Sequence, residues 1–201
     1  MRRDERAEPG TLEVGEFRLL DKRERYSSQL FSVHTGQYAS PSGVVFEREV
    51  LHHPGAVGVV PVMTRSPGEP SVVLVRQYRP ATGAWVLEIP AGLRDVVGEA
   101  PEVTAARELE EEVGFRAGEL TRLFSAYTSP GLSDEEVIVY LATGLEPVAA
   151  RPQGQEEVFA RVCEIRLDEA IRLALGGEVV DLKTIGGLFA AREALTGDLE
   201  S

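Results

Sequence analysis

The sequence predicts an α+β domain built on a mixed sheet, preceded by a small β-rich appendage. Three observations carry this expectation. Most apolar residues fall in short runs with strand patterning, one helical pattern interrupts them at 101–113, and two more helical patterns close the chain. Strands grouped around a single helix, with helices at the end, suit a layered α+β fold better than a strict β/α alternation. At 201 residues the chain can bury one sizeable core with a minor addition.

The elements follow in order. Residues 1–10, MRRDERAEPG, read as a polar tail; no apolar stretch follows the basic residues, so the expectation is that no secretory signal is present. QLFSV (29–33) and GVVFEREVLHH (43–53) alternate as half-buried strands do, with SPSG (40–43) turning between them. Pro54-Gly55 then punctuates the chain, which sets 1–53 apart from a main domain at 54–201. AVGVVPVM (56–63) is apolar almost throughout, as a strand covered on both faces is. SVVLVRQY (71–78) follows the turn RSPGEP, and AWVLEIP (84–90) is a shorter strand in which Trp85 is expected to pack. After the helix at 101–113, strand character returns in LTRLFSAY (120–127), EEVIVYLATGL (135–145) and EEVFARVCEI (156–165), with Cys163 expected in the core. LDEAIRLAL (167–175) and DLKTIGGLFAAREAL (181–195) are the closing helices.

Composition narrows the function classes. With 43% apolar and 27% charged residues the chain is globular rather than disordered. A lone cysteine excludes an internal disulfide framework and fits a reducing compartment, the cytoplasm. No apolar run approaches ~20 residues, so no membrane span is expected. A net charge of -12 repels polyanions, so nucleic acid and anionic membranes are not expected partners. A small anionic substrate remains open to it if metal ions screen the charge. The three histidines show no zinc spacing with Cys163, and there is neither a nucleophile elbow nor a P-loop.

In the stretch AARELEEEVGF (105–115) five of eleven residues are charged, four of them negative. Like charges at i, i+3 and i+4 cost a few tenths of a kcal/mol per pair. On a helix over 101–113, Pro101 suits the first turn and Gly114 the position past the end. Ala105, Leu109 and Val113 then form an apolar face, while Glu108, Glu111 and Glu112 project together on another and Glu110 points away. Arg107 and Glu111, at i, i+4, can pair. A solvated surface helix is the ordinary alternative. Clustered carboxylates whose repulsion a divalent cation relieves are the chemical one, and oxygen ligands suit Mg2+ or Mn2+.

The residues around this helix carry a resemblance. Gly92, Glu99, Arg107, Glu108, Leu109, Glu111, Glu112, Gly114 and Phe115 resemble the signature of the Nudix hydrolases, which cleave nucleoside diphosphates linked to another moiety. The loop Leu93–Gly98 is one residue longer than the family's usual spacing. EREVLHHPGAV (47–57), VRQYRP (75–80), LEIPAG (87–92) and SPG (129–131) resemble the ADP-ribose pyrophosphatase branch. The resemblance implies a mixed sheet sandwiched between helices and Mg2+-dependent hydrolysis of ADP-ribose to AMP and ribose 5-phosphate. Another nucleoside diphosphate sugar, or a non-catalytic nucleotide-sugar sensor, is the alternative. It implies metal ligation by Glu108, Glu112 and Glu111 with the Ala91 carbonyl, and orientation of the carboxylates by Arg107. It also implies close backbone approach at Gly92, and substrate contacts from Arg48, Arg79, Pro130 and Gly131. The general base would be Glu156 or Glu157, with Glu88 a third candidate. Tyr26 or Phe31 could stack on adenine, although Phe31 suits core packing better. The segment 1–53 would serve a homodimer.

Overall fold

The computed structural model describes residues 15–64, 70–150 and 158–197. Contacts divide the chain into two compact units, one of residues up to His53 together with Gly131–Ser133, the other comprising the rest.

The first unit is a three-stranded antiparallel sheet in the order β1 (Arg18–Ser27), β2 (Ser32–Ala39), β3 (Val45–His52). The strand expected at 29–33 is corrected: Ser28–Phe31 is a turn. The Ser28 hydroxyl accepts from the amides of Leu30 and Phe31 there, and β2 begins at Ser32. β1 was not legible because every one of its residues is exposed, so no apolar alternation marks it. Ala39 is the one buried apolar side chain of this unit among the described residues.

The second unit is built on a seven-stranded mixed sheet. Its main path runs β12 (Arg161–Arg166), β5 (Pro70–Arg79), β4 (Ala56–Thr64), β10 (Glu136–Thr143), β9 (Glu119–Tyr127). Two short strands, β6 (Ala84–Glu88) and β7 (Ala91–Leu93), pair with β5 and β4. β4 and β10 are parallel and the other pairs antiparallel. β8 (Phe115–Arg116) and β11 (Glu146–Pro147) form a separate two-stranded ladder. Strand periodicity sorts the side chains into two layers. Val57, Val59, Val73, Val75, Ile138 and Tyr140 meet Ala105, Leu109 and Val113 of helix α1 (Pro101–Val113). Val60, Val62, Val72, Leu74, Val137 and Val139 meet Leu167, Ala170 and Ile171 of α2 (Leu167–Leu175), and Leu188 and Ala191 of α3 (Leu182–Thr196). The sheet is therefore sandwiched between helices, as expected.

Two details position the site. α1 ends where expected, with Gly114 in the left-handed conformation at φ 71. α3 can lie close to the sheet because Gly187 has no side chain: a Cβ there would stand 2.9 Å from Val60 Cγ2. No helix among the described residues is long and apolar enough to cross a membrane.

Two packing expectations are corrected. Trp85 is 48% exposed rather than packed, with the Tyr78 ring edge-on to it at 5.9 Å. Cys163 is half-buried, since it lies on β12 at the edge of the sheet. The strand expected at 156–165 begins at Arg161.

Candidate active site

α1 presents its apolar face to the sheet and its acidic face to β7, which follows directly on the β6 strand end. The sequence folds this way because Ala105, Leu109 and Val113 are 0, 0 and 6% exposed, which fixes the rotation of the helix. Glu108, Glu111 and Glu112 are then left half-buried on the remaining faces.

Arg107 gathers the carboxylates. Its Nη1 donates to Glu108 Oε1 at 2.7 Å and to Glu111 Oε2 at 3.1 Å, and its Nη2 to Glu99 Oε2 at 3.5 Å. The Thr104 hydroxyl donates to the same Glu99 oxygen at 2.8 Å, so the longer 93–98 loop still returns Glu99 to the helix. Burial alone would lower the Arg107 pKa, but the Glu108 charge and the hydrogen bonds to Glu111 and Glu99 raise it above its ordinary value. Glu112 turns the other way and accepts from the Ala91 amide at 3.1 Å. Glu110 leaves the cluster, as its helical position requires, and pairs with Arg116 at 2.7 Å.

Gly92 explains how β7 and α1 come so close. A Cβ on Gly92 would stand 2.0 Å from Glu108 Cδ and 2.2 Å from Oε1. The Glu108 carboxyl occupies the space any side chain at 92 would fill.

Behind this acidic face lies a second, buried cluster. Glu88, at the end of β6, is 2% exposed. Arg79 grips it with a two-pronged fork, Nε to Oε1 and Nη2 to Oε2, both at 2.7 Å. Lys183 on α3 adds a contact of 2.5 Å to Oε2 and another of 3.0 Å to Asp181. Burial pushes the Glu88 carboxyl up, but the Arg79 hydrogen bonds and the Lys183 charge and hydrogen bond outweigh it, leaving the pKa below its usual 4.5. The Arg79 guanidinium is raised, first by its hydrogen bonds to Glu88 and then, against burial, by the charges of Glu88, Glu112 and Asp181. The Glu112 charge among these ties Arg79 electrostatically to α1. Lys183 and Asp181 were not anticipated from sequence. The available signals were a carboxylate inside the apolar run WVLEIP and the capping pattern Asp181-x-x-Thr184.

The remaining candidates are placed as follows. Arg48 is on β3 of the first unit, donating to the Glu47 carbonyl at 2.7 Å with its guanidinium 4.9 Å from the Phe46 ring centre. Tyr26 and Phe31 face one another at 5.6 Å, with Tyr26 exposed and Phe31 half-buried. Pro130 is exposed in a turn, and a Cβ on Gly131 would meet nothing within 4 Å, so no steric demand fixes glycine there. Glu156 and Glu157 lie outside the described residues.

The donor set suits a hard divalent cation: it consists of carboxylates and backbone, without sulfur or imidazole. Among the described residues no three such side chains stand ready as a finished cage. Arg107 is their present counter-ion. An ionised carboxylate offers about four lone-pair positions, so a metal and Arg107 can share Glu108 and Glu111. Gly92 lets the Glu108 carboxyl lie directly against the β7 backbone, so carboxylate and carbonyl oxygens can be offered together, and the donor chemistry fits the group.

Comparison with known proteins agrees with this geometry. The NUDIX domain pattern matches residues 52–184. The chain is 37% identical over 169 residues to the ADP-ribose pyrophosphatase of Bacillus subtilis (strain 168), covering 84% of this chain and 89% of that protein. It is 38% identical over 182 residues to the ADP-ribose pyrophosphatase of Mycobacterium tuberculosis (strain ATCC 25618 / H37Rv), covering 90% and 86%. A crystal structure of an ADP compounds hydrolase matches it with a TM-score of 0.80 at 25% identity, over 94% of this chain and 98% of that one. Nudix hydrolases generally need a divalent metal, which the α1 carboxylates suit. With its acidic helix set against a glycine at the strand end and its sheet held between helices, the chain belongs to the NUDIX family and is one of its pyrophosphohydrolases.

Proposed function

We propose that this enzyme hydrolyses the pyrophosphate bond of ADP-ribose, adding water to give AMP and ribose 5-phosphate. The observation that carries the reading is the close seat of Glu108 against Gly92, with Glu112 on the Ala91 amide: carboxylates and backbone meet where β7 faces α1. The two ADP-ribose pyrophosphatases that match most of the chain support the substrate. Glu108, Glu111 and Glu112, with the Ala91 carbonyl, would hold Mg2+, or Mn2+ in its place. Bound there, the ion supplies charge neutralisation for the pyrophosphate oxygens and acidifies a water.

The protein's own groups do the rest. Arg107 holds Glu108, Glu111 and Glu99 together. Arg79 spends two of its five N–H donors on Glu88, leaving three for phosphate oxygens. The family resemblance adds Arg48, Pro130 and Gly131 as candidate substrate contacts. Glu156 or Glu157 takes the proton from the attacking water. Glu88 suits that task less, since both its oxygens are already gripped by cations.

The substrate is a small nucleoside diphosphate sugar, and neither nucleic acid nor membrane is a partner. The first unit serves a cytoplasmic homodimer. Its near lack of a core supports this, as do Phe17, Leu19, Leu20 and Tyr26, which are about half exposed in the single chain (59, 53, 49 and 55%).

The test is a panel of nucleoside diphosphate derivatives with Mg2+ or Mn2+, read as phosphate released by a coupled phosphatase, which cannot act on the intact substrates. ADP-ribose is expected to give the highest kcat/KM, and Glu112→Gln to lose on the order of 10²-fold or more while folding normally. A clear preference for another sugar would overturn the substrate; near wild-type turnover in Glu112→Gln would overturn the metal assignment.

A further inference from the structure

We propose that Lys183 is a positioning residue for substrate, acting through Glu88 on Arg79, so that the first turn of α3 sets the aim and free charge of a phosphate-binding guanidinium. The inference rests on the reading above that Arg79 receives the substrate's phosphates.

The chain of contacts is continuous. Arg79, Glu88, Lys183 and Asp181 alternate in sign, linked at 2.7, 2.5 and 3.0 Å. Asp181 caps α3, accepting from the Thr184 amide at 2.9 Å and its hydroxyl at 2.5 Å. The Thr184 oxygen in turn accepts from the Ile89 amide at 2.8 Å, one residue beyond Glu88. The start of α3 is thus fastened to the end of β6 by both a backbone donor and an ion pair. The cap fixes the backbone from which Lys183 reaches Glu88.

Charge arithmetic shows why a second cation matters. A buried carboxylate needs a partner, and Arg79 alone would satisfy Glu88. Arg79 matches the Glu88 charge one for one, and Lys183, with its side chain 14% exposed, brings a second cation to the same carboxylate. What it changes is Arg79. Two cations and two anions sum to zero; without Lys183 the cluster carries one net negative charge, in a chain already at -12. Arg79 would then be spent on Glu88 instead of offered to a phosphate. The side-chain exposures agree: 40% for Arg79 against 2% for Glu88, so the guanidinium is gripped from the buried side and open on the other.

The experiment is a double-mutant cycle with ADP-ribose: Lys183→Met, Arg79→Gln and the pair, with melting temperatures and AMP product-inhibition constants for each. The expected result is a KM and an AMP inhibition constant raised about 10-fold in Lys183→Met, with kcat within about 3-fold of wild type. Arg79→Gln should cost more, and the pair no more than Arg79→Gln alone, because Lys183 acts through Arg79. Lys183→Arg should recover most of the affinity. Effects that multiply in the double variant, or a lowered melting temperature with unchanged KM and AMP inhibition, would show that Lys183 only supports the fold. Should Lys183→Met not fold, Lys183→Gln and Lys183→Arg take its place in the cycle. If the wild-type enzyme prefers another nucleoside diphosphate derivative, the substrate reading fails by itself and the same cycle on that compound still judges Lys183.

Discussion

Replacing Gly92 by alanine is expected to separate stability from activity. The added methyl carbon would stand 2.0 Å from Glu108 Cδ, 2.2 Å from Oε1 and 2.5 Å from Cγ. Non-bonded carbons settle at about 3.5–4.0 Å, so the carboxyl must retreat by roughly 1.5 Å or more. Metal–ligand distances tolerate about 0.2 Å, so Glu108 would lose the place proposed for it as a ligand. A displacement of about 1 Å at a catalytic group can cost 10²-fold. The fold has no such difficulty. Gly92 is not among the glycines with positive φ, and the three atoms nearest the methyl all belong to the Glu108 side chain, which can rotate. A glycine-to-alanine change at a compatible backbone position adds about 0.4–1 kcal/mol of stability through the unfolded chain. Gly92→Ala is therefore expected to melt at or up to ~4 °C above wild type, while kcat for ADP-ribose falls at least ~10²-fold. The assays are a thermal melt followed by circular dichroism and the phosphatase-coupled hydrolysis. A kcat within about threefold of wild type would refute the claim that Glu108 must sit in that space. A melting temperature lowered by many degrees would refute the claim that only a side chain yields.

Three further outcomes are expected. The stability due to ionised Glu88 is present above its ordinary pKa of 4.5 and is lost as pH falls through its lower folded value. The gap in urea midpoint between wild type and Glu88→Gln should accordingly be constant near neutrality and close below about pH 4.5; a gap unchanged from pH 7 to 3 would contradict the assignment. Light scattering at micromolar concentration should report a dimer, and deletion of 1–50 should abolish both dimer and activity; a fully active truncated monomer would remove the role given to the first unit. Of Glu156→Gln and Glu157→Gln, one should lose ~10²–10⁴-fold in kcat with little change in KM and the other should be nearly silent. Wild-type kcat in both would leave water activation to the metal cluster or Glu88.

What could be read from the sequence was whatever local patterning determines. The bounds of α1 are legible to the residue because an apolar i, i+4 face, Pro101 and Gly114 all agree, and those of α2 follow from its amphipathic pattern. β4 was evident as an unbroken apolar run because both its faces are covered. β1 was missed because RLLDKRERYS buries nothing and owes its strand conformation to register with β2. At the site, the acidic face of α1 and its Arg107–Glu111 pair follow from helical geometry alone. The bond from the Ala91 amide to Glu112 and the grip of Lys183 on Glu88 could not be read. They join residues brought together by the sheet, 21 and 95 positions apart.

Trp85 has a practical consequence of its own. It is the chain's one tryptophan, and its ring is 48% exposed against Tyr78 at 5.9 Å. With Arg76, Phe159 and Arg161 it lines a cleft of ≈ 380 Å³ on the sheet. An indole already in contact with water emits in the folded state much as it does in the unfolded one. Intrinsic fluorescence will therefore under-report global unfolding of this enzyme, and acrylamide will quench the native protein. The same emission is a local optical probe of the β5–β6–β12 surface, sensitive to anything that dries or crowds that cleft while the rest of the molecule stays silent.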